Sequence, residues 1–239
     1  MDEQVCNWYE HYLHNRRASA TLKGCCSVVD LCCGTPQGGV LSPVIWNINF
    51  DGVLQLFDGT AVSANGFADD VSLLITGVDL PVMADIMQGA IDMATTWGSS
   101  CGLTFGSAKT VAVIFSHKRT VKASLPELFI NGDRIQYSDS AKYLGVTLDC
   151  RLNFKEHVRE KCKKATRLLM AAREALGKLW GPSLRTTKWM YEAIVRPQIS
   201  YGALVWAHKV PLNSAPLVRV QRLAMLMICL LYTSDAADE

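Results

Sequence analysis

Gly66-Phe67-Ala68-Asp69-Asp70-Val71-Ser72-Leu73-Leu74-Ile75 places two adjacent carboxylates between a glycine and an apolar run. The pattern predicts strand, tight turn, strand, with both acids at the tip. Neighbouring carboxylates repel, so each ionised Asp raises the pKa of the other. A hard divalent cation with oxygen ligands removes that penalty. In phosphoryl transfer such cations clamp the attacking and leaving oxygens. Alone, the same pair is also an ordinary solvated turn, so the surrounding sequence has to decide.

Upstream runs Gly34-Thr35-Pro36-Gln37-Gly38-Gly39-Val40-Leu41-Ser42-Pro43. Adjacent glycines let a backbone take positive φ and approach a ligand closely. Ser42 suits an N-cap and Pro43 a first helical position, so a helix is predicted from about Pro43 towards Phe57. Amides near such a start can face a phosphate or a base. A Gly-rich turn capping a core helix is the plainer alternative.

The two segments, in this order and at this spacing, resemble the reverse transcriptase domain of non-LTR retrotransposons. Trp46-Asn47, Lys142 to Asp149, Leu152 to His157 and Tyr201 to Trp206 extend the likeness from about Trp8 to Leu226. The resemblance implies an α+β fold, a polymerase-type palm sheet backed by helices and followed by a helical thumb. It implies RNA-templated DNA synthesis with two Mg²⁺ ions, an RNA template, a DNA primer and deoxynucleoside triphosphates. Asp69 would be a metal ligand and Asp70 would support the metal site. Pro36, Gln37, Gly38 and Gly39, together with Phe67, would lie near template and nucleotide. Tyr143, Leu144 and Gly145 would lie near the primer terminus. Phe67 stands where the family usually has Tyr; it loses a hydroxyl and keeps the ring.

The family also carries a metal-binding Asp on an upstream strand of the form Phe-x-Asp-x-x-x-Ala-Phe-Asp. Before Gly34 this chain has only Asp2, Glu3, Glu10 and Asp30. The expectation is therefore a chain that lacks the fingers and the first catalytic strand and is inactive alone, because a site loosened by an ångström can lose most of its rate. The organisation expected is a partial palm over 1–116, a palm/thumb hairpin over 117–150, a helical thumb over 151–229 and a non-native tail over 230–239. The alternative reading is a non-catalytic nucleic-acid-binding remnant of such a polymerase.

With 239 residues, 49% of them apolar, the chain can build a substantial core. A net charge of +2 says little about nucleic acid, whereas the basic residues between Arg151 and Lys188 say more. The polar, charged N-terminus and the short apolar stretch Leu223 to Tyr232 point to an intracellular protein with no membrane span. Nine cysteines occur without a Cys-x-x-Cys. Reduced thiols are expected at the pairs Cys25-Cys26 and Cys32-Cys33 rather than zinc.

Elsewhere, Trp8 to Leu13 reads as a helix end, with His11 and His14 able to share a face. Ser19 to Val29 reads as extended. Val82, Ile86, Ala90, Met93, Ala94 and Trp97 recur at helical spacing as a core stripe, with Asp79 as cap and Gly98 as stop. Lys109 to Phe115 then reads as a strand, giving a βαβ pattern. Lys109 could protonate departing pyrophosphate, and the family has a Lys-Thr pair here; a solvated strand end is the alternative. Asn131-Gly132 predicts a hairpin, and Tyr143 to Leu148 another strand. Asn153 with Glu156 makes a capping-box variant. Phe154, Val158, Cys162, Ala165, Leu168, Leu169, Ala172 and Leu176 mark a buried helix face. Lys155, Arg159, Lys163, Lys164 and Arg167 lie around the rest, suited to a nucleic-acid backbone or simply to solvent. Gly181-Pro182 ends that helix. Ser183 caps a second that stops before Pro197, and a third starts near Ile199.

Overall fold

A computed structural model of the chain describes residues 2–31, 33–116, 125–174, 184–211 and 214–235. It divides into two compact units, Met1–Thr110 with Ser124–Ile135, and Val111–Ala123 with Gln136–Glu239. Helices and strands are mixed throughout, an α+β composition. Among the described residues the strands form five two-stranded ribbons and no larger sheet.

The first unit opens with α1 (Glu3–Leu13), capped by the Asp2 carboxylate, which accepts from the Gln4 amide at 3.0 Å. His14 is the C-cap in extended conformation, so it shares no helical face with His11. The extended segment is a hairpin, β1 (Arg16–Leu22) against β2 (Cys25–Leu31), exposed along nearly its whole length. After the Gly-rich loop come α2 (Ser42–Gln55), β3 (Val62–Phe67), β4 (Asp70–Ile75) and α3 (Leu80–Ser100).

The core of this unit forms where α2 and α3 cover the β3–β4 hairpin. Phe50, Val53, Phe57, Val62, Ala90 and Ala94 are buried, with Val71, Leu73 and Ile75 packed against them. The two-residue spacing of those last three is what turns one face of a strand to the core. On α3 the buried set is Ala84, Ala90, Ile91, Ala94 and Gly98. Val82, Ile86 and Met93 are exposed, so the stripe is rotated from the predicted one. Gly98 lies inside the helix. The carbonyl of Gly98 accepts from Cys101 and Leu103 amides, and Gly102 at φ +70° ends the run. Asp79 holds the cap position without a side-chain hydrogen bond.

β6 (Phe129–Ile130) and β7 (Asp133–Arg134) flank Asn131-Gly132, whose φ values of 52° and 84° suit the predicted turn. The Gln88 amide pairs with both backbone groups of Phe129, which fixes this hairpin to α3. The predicted βαβ layer does not form. After α3 the chain turns through a 3-10 segment, Ser107–Lys109. The two-residue β5 (Val111–Ala112) then pairs in parallel with β8 (Gln136–Tyr137) and not with β4.

In the second unit β9 (Ser140–Tyr143) and β10 (Val146–Asp149) form a hairpin, so the strand expected at Tyr143 to Leu148 is folded back at Leu144-Gly145. Helix α4 (Lys155–Glu174) follows. Its entry is secured by Asp149 rather than Asn153. The Asp149 carboxylate accepts from the amides of Arg151, Asn153 and Phe154 at 3.1, 3.1 and 2.7 Å. Phe154, Val158, Cys162, Ala165 and Leu169 are buried as predicted, with Leu168 and Ala172 beside them. Leu176, Gly181, Pro182 and Ser183 lie outside the described residues, as does Cys32.

Pro197 does not end the second helix. α5 (Leu184–Met190) continues through a π-turn at Tyr191–Val195 into α6 (Arg196–Ser200). The wider turn shifts the hydrogen-bond register just before a residue with no N–H, so the helical path survives the proline. Short α7 (Ala203–Trp206) and long α8 (Ala215–Asp235) complete the unit. The backbone of 230–235 continues α8. Among the described residues Trp206, 2% exposed, is the largest side chain wholly inside.

Candidate active site

The Gly-rich loop is held from both ends. Arg16 donates through Nη2 to the Gly34 carbonyl at 2.6 Å and to that of Cys33 at 3.2 Å. Within the loop the Gly39 amide donates to the Pro36 carbonyl at 3.1 Å. Gly38 takes φ +87°, which an L side chain rarely adopts. Ser42 is not the N-cap. Leu41 occupies that position, and Ser42 Oγ donates to the Pro36 carbonyl at 2.7 Å. The predicted capping hydroxyl instead closes the loop onto the first turn of α2. Gln37 is exposed, and Pro36 and Gly39 are half-buried.

One helical turn along, Trp46 donates its indole N–H to the Ala68 carbonyl at 2.7 Å. Ala68 and Asp69 are the two-residue turn between β3 and β4, and Phe67 pairs with Asp70 across the ladder. Ala68 has φ +53°, an uncommon conformation for a residue with a Cβ. Strain of that kind persists where the surroundings over-determine it, and here the Trp46 bond and the Phe67–Asp70 pair do so. Four residues of helix span about 6 Å, so the loop and the acid turn are tethered to the same end of α2. Asp69, Asp70 and Phe67 are all exposed, Phe67 by 62%.

Lys109 ends the 3-10 turn and is exposed. Among the described residues no hydrogen bond or ion pair joins it to either acid. Neither is any group of three or more His, Cys, Asp or Glu side chains gathered closely enough among those residues to hold a metal ion. The acid turn thus offers an all-oxygen pair, right in chemistry for Mg²⁺ and short of a complete ligand set.

The remaining candidates belong to the second unit. Leu144 and Gly145 form the β9–β10 turn with φ of 46° and 78°, and Tyr201 Oη donates to the Leu144 carbonyl at 2.8 Å. A Cβ on Gly145 would lie 2.9 Å from the Tyr201 ring. Tyr143 opens the turn, paired with Val146. Lys155, Arg159, Lys163 and Arg167 recur every fourth residue along the exposed face of α4, and Lys164 lies beside them. Such spacing forms one continuous stripe on a helix.

Sequence reasoning missed His157, which is fully buried at the base of α4. Its Nδ1 accepts from the Thr147 amide at 3.1 Å, joining α4 to β10. Burial lowers its pKa; Lys161 and Lys142 add to that, while the Tyr201 backbone and Glu160 oppose it. A histidine among apolar helix positions carries no sequence signal that distinguishes it from a surface residue. Burial also raises the pKa of the Cys162 thiol.

The family described as reverse transcriptase (RNA-dependent DNA polymerase) matches residues 2–148. The chain belongs to that family, and its relatives are polyproteins of non-LTR retrotransposons. It is 30% identical over 179 residues to a retrovirus-related Pol polyprotein from type-1 retrotransposable element R1 2 of Nasonia vitripennis, covering 72% of this chain and 43% of that protein. It is 27% identical over 198 residues to a putative 115 kDa protein in type-1 retrotransposable element R1DM of Drosophila melanogaster, covering 83% and 19%. It is 28% identical over 242 residues to an RNA-directed DNA polymerase from mobile element jockey of Drosophila funebris, covering 95% and 25%. The chain therefore spans less than half the length of these curated relatives. No solved structure matches it. Reverse transcriptases as a family generally use divalent metal ions. Among the described residues no helix is long and apolar enough to cross a membrane.

Proposed function

We propose that this chain supplies part of the palm and the thumb of an RNA-directed DNA polymerase, working inside the cell on an RNA template, a DNA primer and deoxynucleoside triphosphates. In the reaction the primer's 3′-oxygen bonds to the α-phosphorus and pyrophosphate leaves. Two bound Mg²⁺ ions would lower the pKa of that hydroxyl and neutralise the leaving group. Asp69 offers carboxylate oxygens at the turn, with Asp70 beside it. The Pro36 to Gly39 loop, and Phe67, back the nascent base pair. Tyr143, Leu144 and Gly145 support the primer end, and the α4 cations hold the strand by its phosphates. Lys109 is the candidate proton donor to pyrophosphate.

The observation that carries this reading is the tether through α2. Pro36 and Ala68, from the two most informative motifs, are bonded to side chains one turn apart on a single helix. Titrating the chain with Mn²⁺ tests it. Paramagnetic broadening should concentrate at the amides of residues 67–71 and vanish in Asp69→Asn. Broadening elsewhere, or unchanged by that substitution, overturns the assignment. The two-carboxylate set also favours a second reading, nucleic-acid binding without catalysis. The Mn²⁺ titration separates the two, because the binding-only reading gives no broadening centred on residues 67–71; robust Mg²⁺-dependent primer extension by the chain alone would exclude that reading and also overturn the expectation that the chain is inactive by itself.

A further inference from the structure

The periodic stripe on α3 faces away from the core of its own unit. Val82, Ile86 and Met93 lie exposed along the outer side of the helix, and the exposed carboxylates of Asp85 and Asp92 stand among them. The helix carries no Lys, Arg or His. Gly89 falls in the middle of the stripe, and a Cβ built there meets nothing within 4 Å, so another helix can approach the backbone closely at that point. The stripe leads into an open groove beside the end of α2, lined by Leu56, Asp92, Met93, Thr96, Trp97 and Ser100.

The second unit has a face of the same shape and opposite charge. Leu217, Val220, Ala224 and Met227 turn inward on α8, which leaves Val218, Met225 and Leu226 exposed on the outside with Arg219 and Arg222 among them. No acidic residue precedes Asp235 in this helix. From Val82 to Met93, and from Val218 to Cys229, each stripe covers about 16 Å of helix. Among the described residues none of the four charges, Asp85, Asp92, Arg219 and Arg222, has an ion-pair partner. The asymmetry extends to the whole units: the first has thirteen acidic residues against five basic, the second nineteen basic against nine acidic. Opposed charges of this kind draw unlike surfaces of two molecules together and keep like ones apart.

We propose that the outer face of α3 in one chain is the docking surface for the outer face of α8 in a second copy. The apolar side chains form the centre of the contact, and the Asp and Arg side chains form its rim. Pairing α3 with α3 would set four carboxylates together, and pairing α8 with α8 four guanidinium groups, so the contact joins unlike faces. The two methionines add side chains that adapt to an irregular partner surface. This association goes beyond the polymerase reading and does not depend on it.

The experiment is sedimentation velocity of the full chain over a series of concentrations, at low and at high salt. At low salt the average mass should rise with concentration, and added salt should move that rise to higher concentration. Asp85→Lys combined with Asp92→Lys, and Arg219→Glu combined with Arg222→Glu, should each weaken association about tenfold or more, because attraction at the rim becomes repulsion. An equimolar mixture of these two double variants should associate again, since each supplies the charge that the other has lost. Gly89→Phe should block the close approach and leave the circular dichroism spectrum and the urea midpoint as in the parent. A chain that stays single at every concentration overturns the proposal. So does association that both double variants leave unchanged, which would place the contact elsewhere, and so does a mixture that fails to associate.

Discussion

Trp46 donates its indole N–H to the Ala68 carbonyl across 2.7 Å, and this bond ties α2 to the turn that carries Asp69. The same ring stacks on Phe50, with centroids 5.6 Å apart and planes 25° apart. Trp46→Phe keeps an aromatic ring beside Phe50 while removing the donor and part of the packed ring area. It should cost about 1 kcal/mol in urea unfolding. Amide exchange should quicken locally at residues 68–70, where Ala68 loses the partner that holds its positive φ. Unchanged exchange in that turn would show that the strand pairing alone fixes it.

Gly66 packs directly under Phe50. A Cβ at that position would fall 2.6 Å from Phe50 Cε1, and Phe50 is buried at 6% exposure with neighbours on several sides. The ring has little room to retreat, so Gly66→Ala overpacks the hairpin against α2. The expected loss is about 1–3 kcal/mol, read as a lower urea midpoint. A variant as stable as the parent would mean that α2 can shift outward.

Asp149 satisfies three amides at the entrance to α4. Asp149→Ala orphans all three and should cost about 2 kcal/mol or more, because each lost partner leaves a donor to be resolvated. Asp149→Asn retains one acceptor oxygen and should lose less. Equal losses in the two variants would argue that the negative charge, rather than the geometry of acceptance, does the stabilising.

That anchor also shows where the sequence stopped being readable. The acid-tipped hairpin, the helix after the Gly-rich loop and the buried face of α4 follow from alternation, helical spacing and turn chemistry within a few neighbouring residues. Asp149 was read as the end of a motif, and Asn153 with Glu156 looked like the better cap, because the choice depends on how the chain bends between β10 and α4. Ser42 was misread for the same reason: its hydroxyl had two possible partners, and the loop brought the Pro36 carbonyl to it. On α3 the periodic stripe was visible, but the rotation of the helix depends on what it covers. The β5 strand lacked a local cue to its partner, since β8 arrives more than twenty residues later.

His157 gives the pH dependence its direction. An unfolded imidazole titrates near 6.5, on the order of any solvated histidine. In the folded chain burial holds the value lower, with Lys161 and Lys142 also opposing a positive ring and Glu160 and the Tyr201 backbone favouring it. Above about pH 6.5 neither state takes up the proton, and the full stability is present. As the pH falls below that value the unfolded chain binds a proton that the folded chain resists, so stability declines until the lowered folded pKa is reached. The urea midpoint should therefore drop as the pH falls below about 6.5, and His157→Gln should flatten this part of the curve while being less stable at neutral pH. If that variant fails to fold, the imidazole signal of His157 in the unmodified chain serves instead. It should titrate below about 6.5, and a midpoint at or above that value would mean that the ring is solvated and that the Thr147 amide does not hold Nδ1 unprotonated.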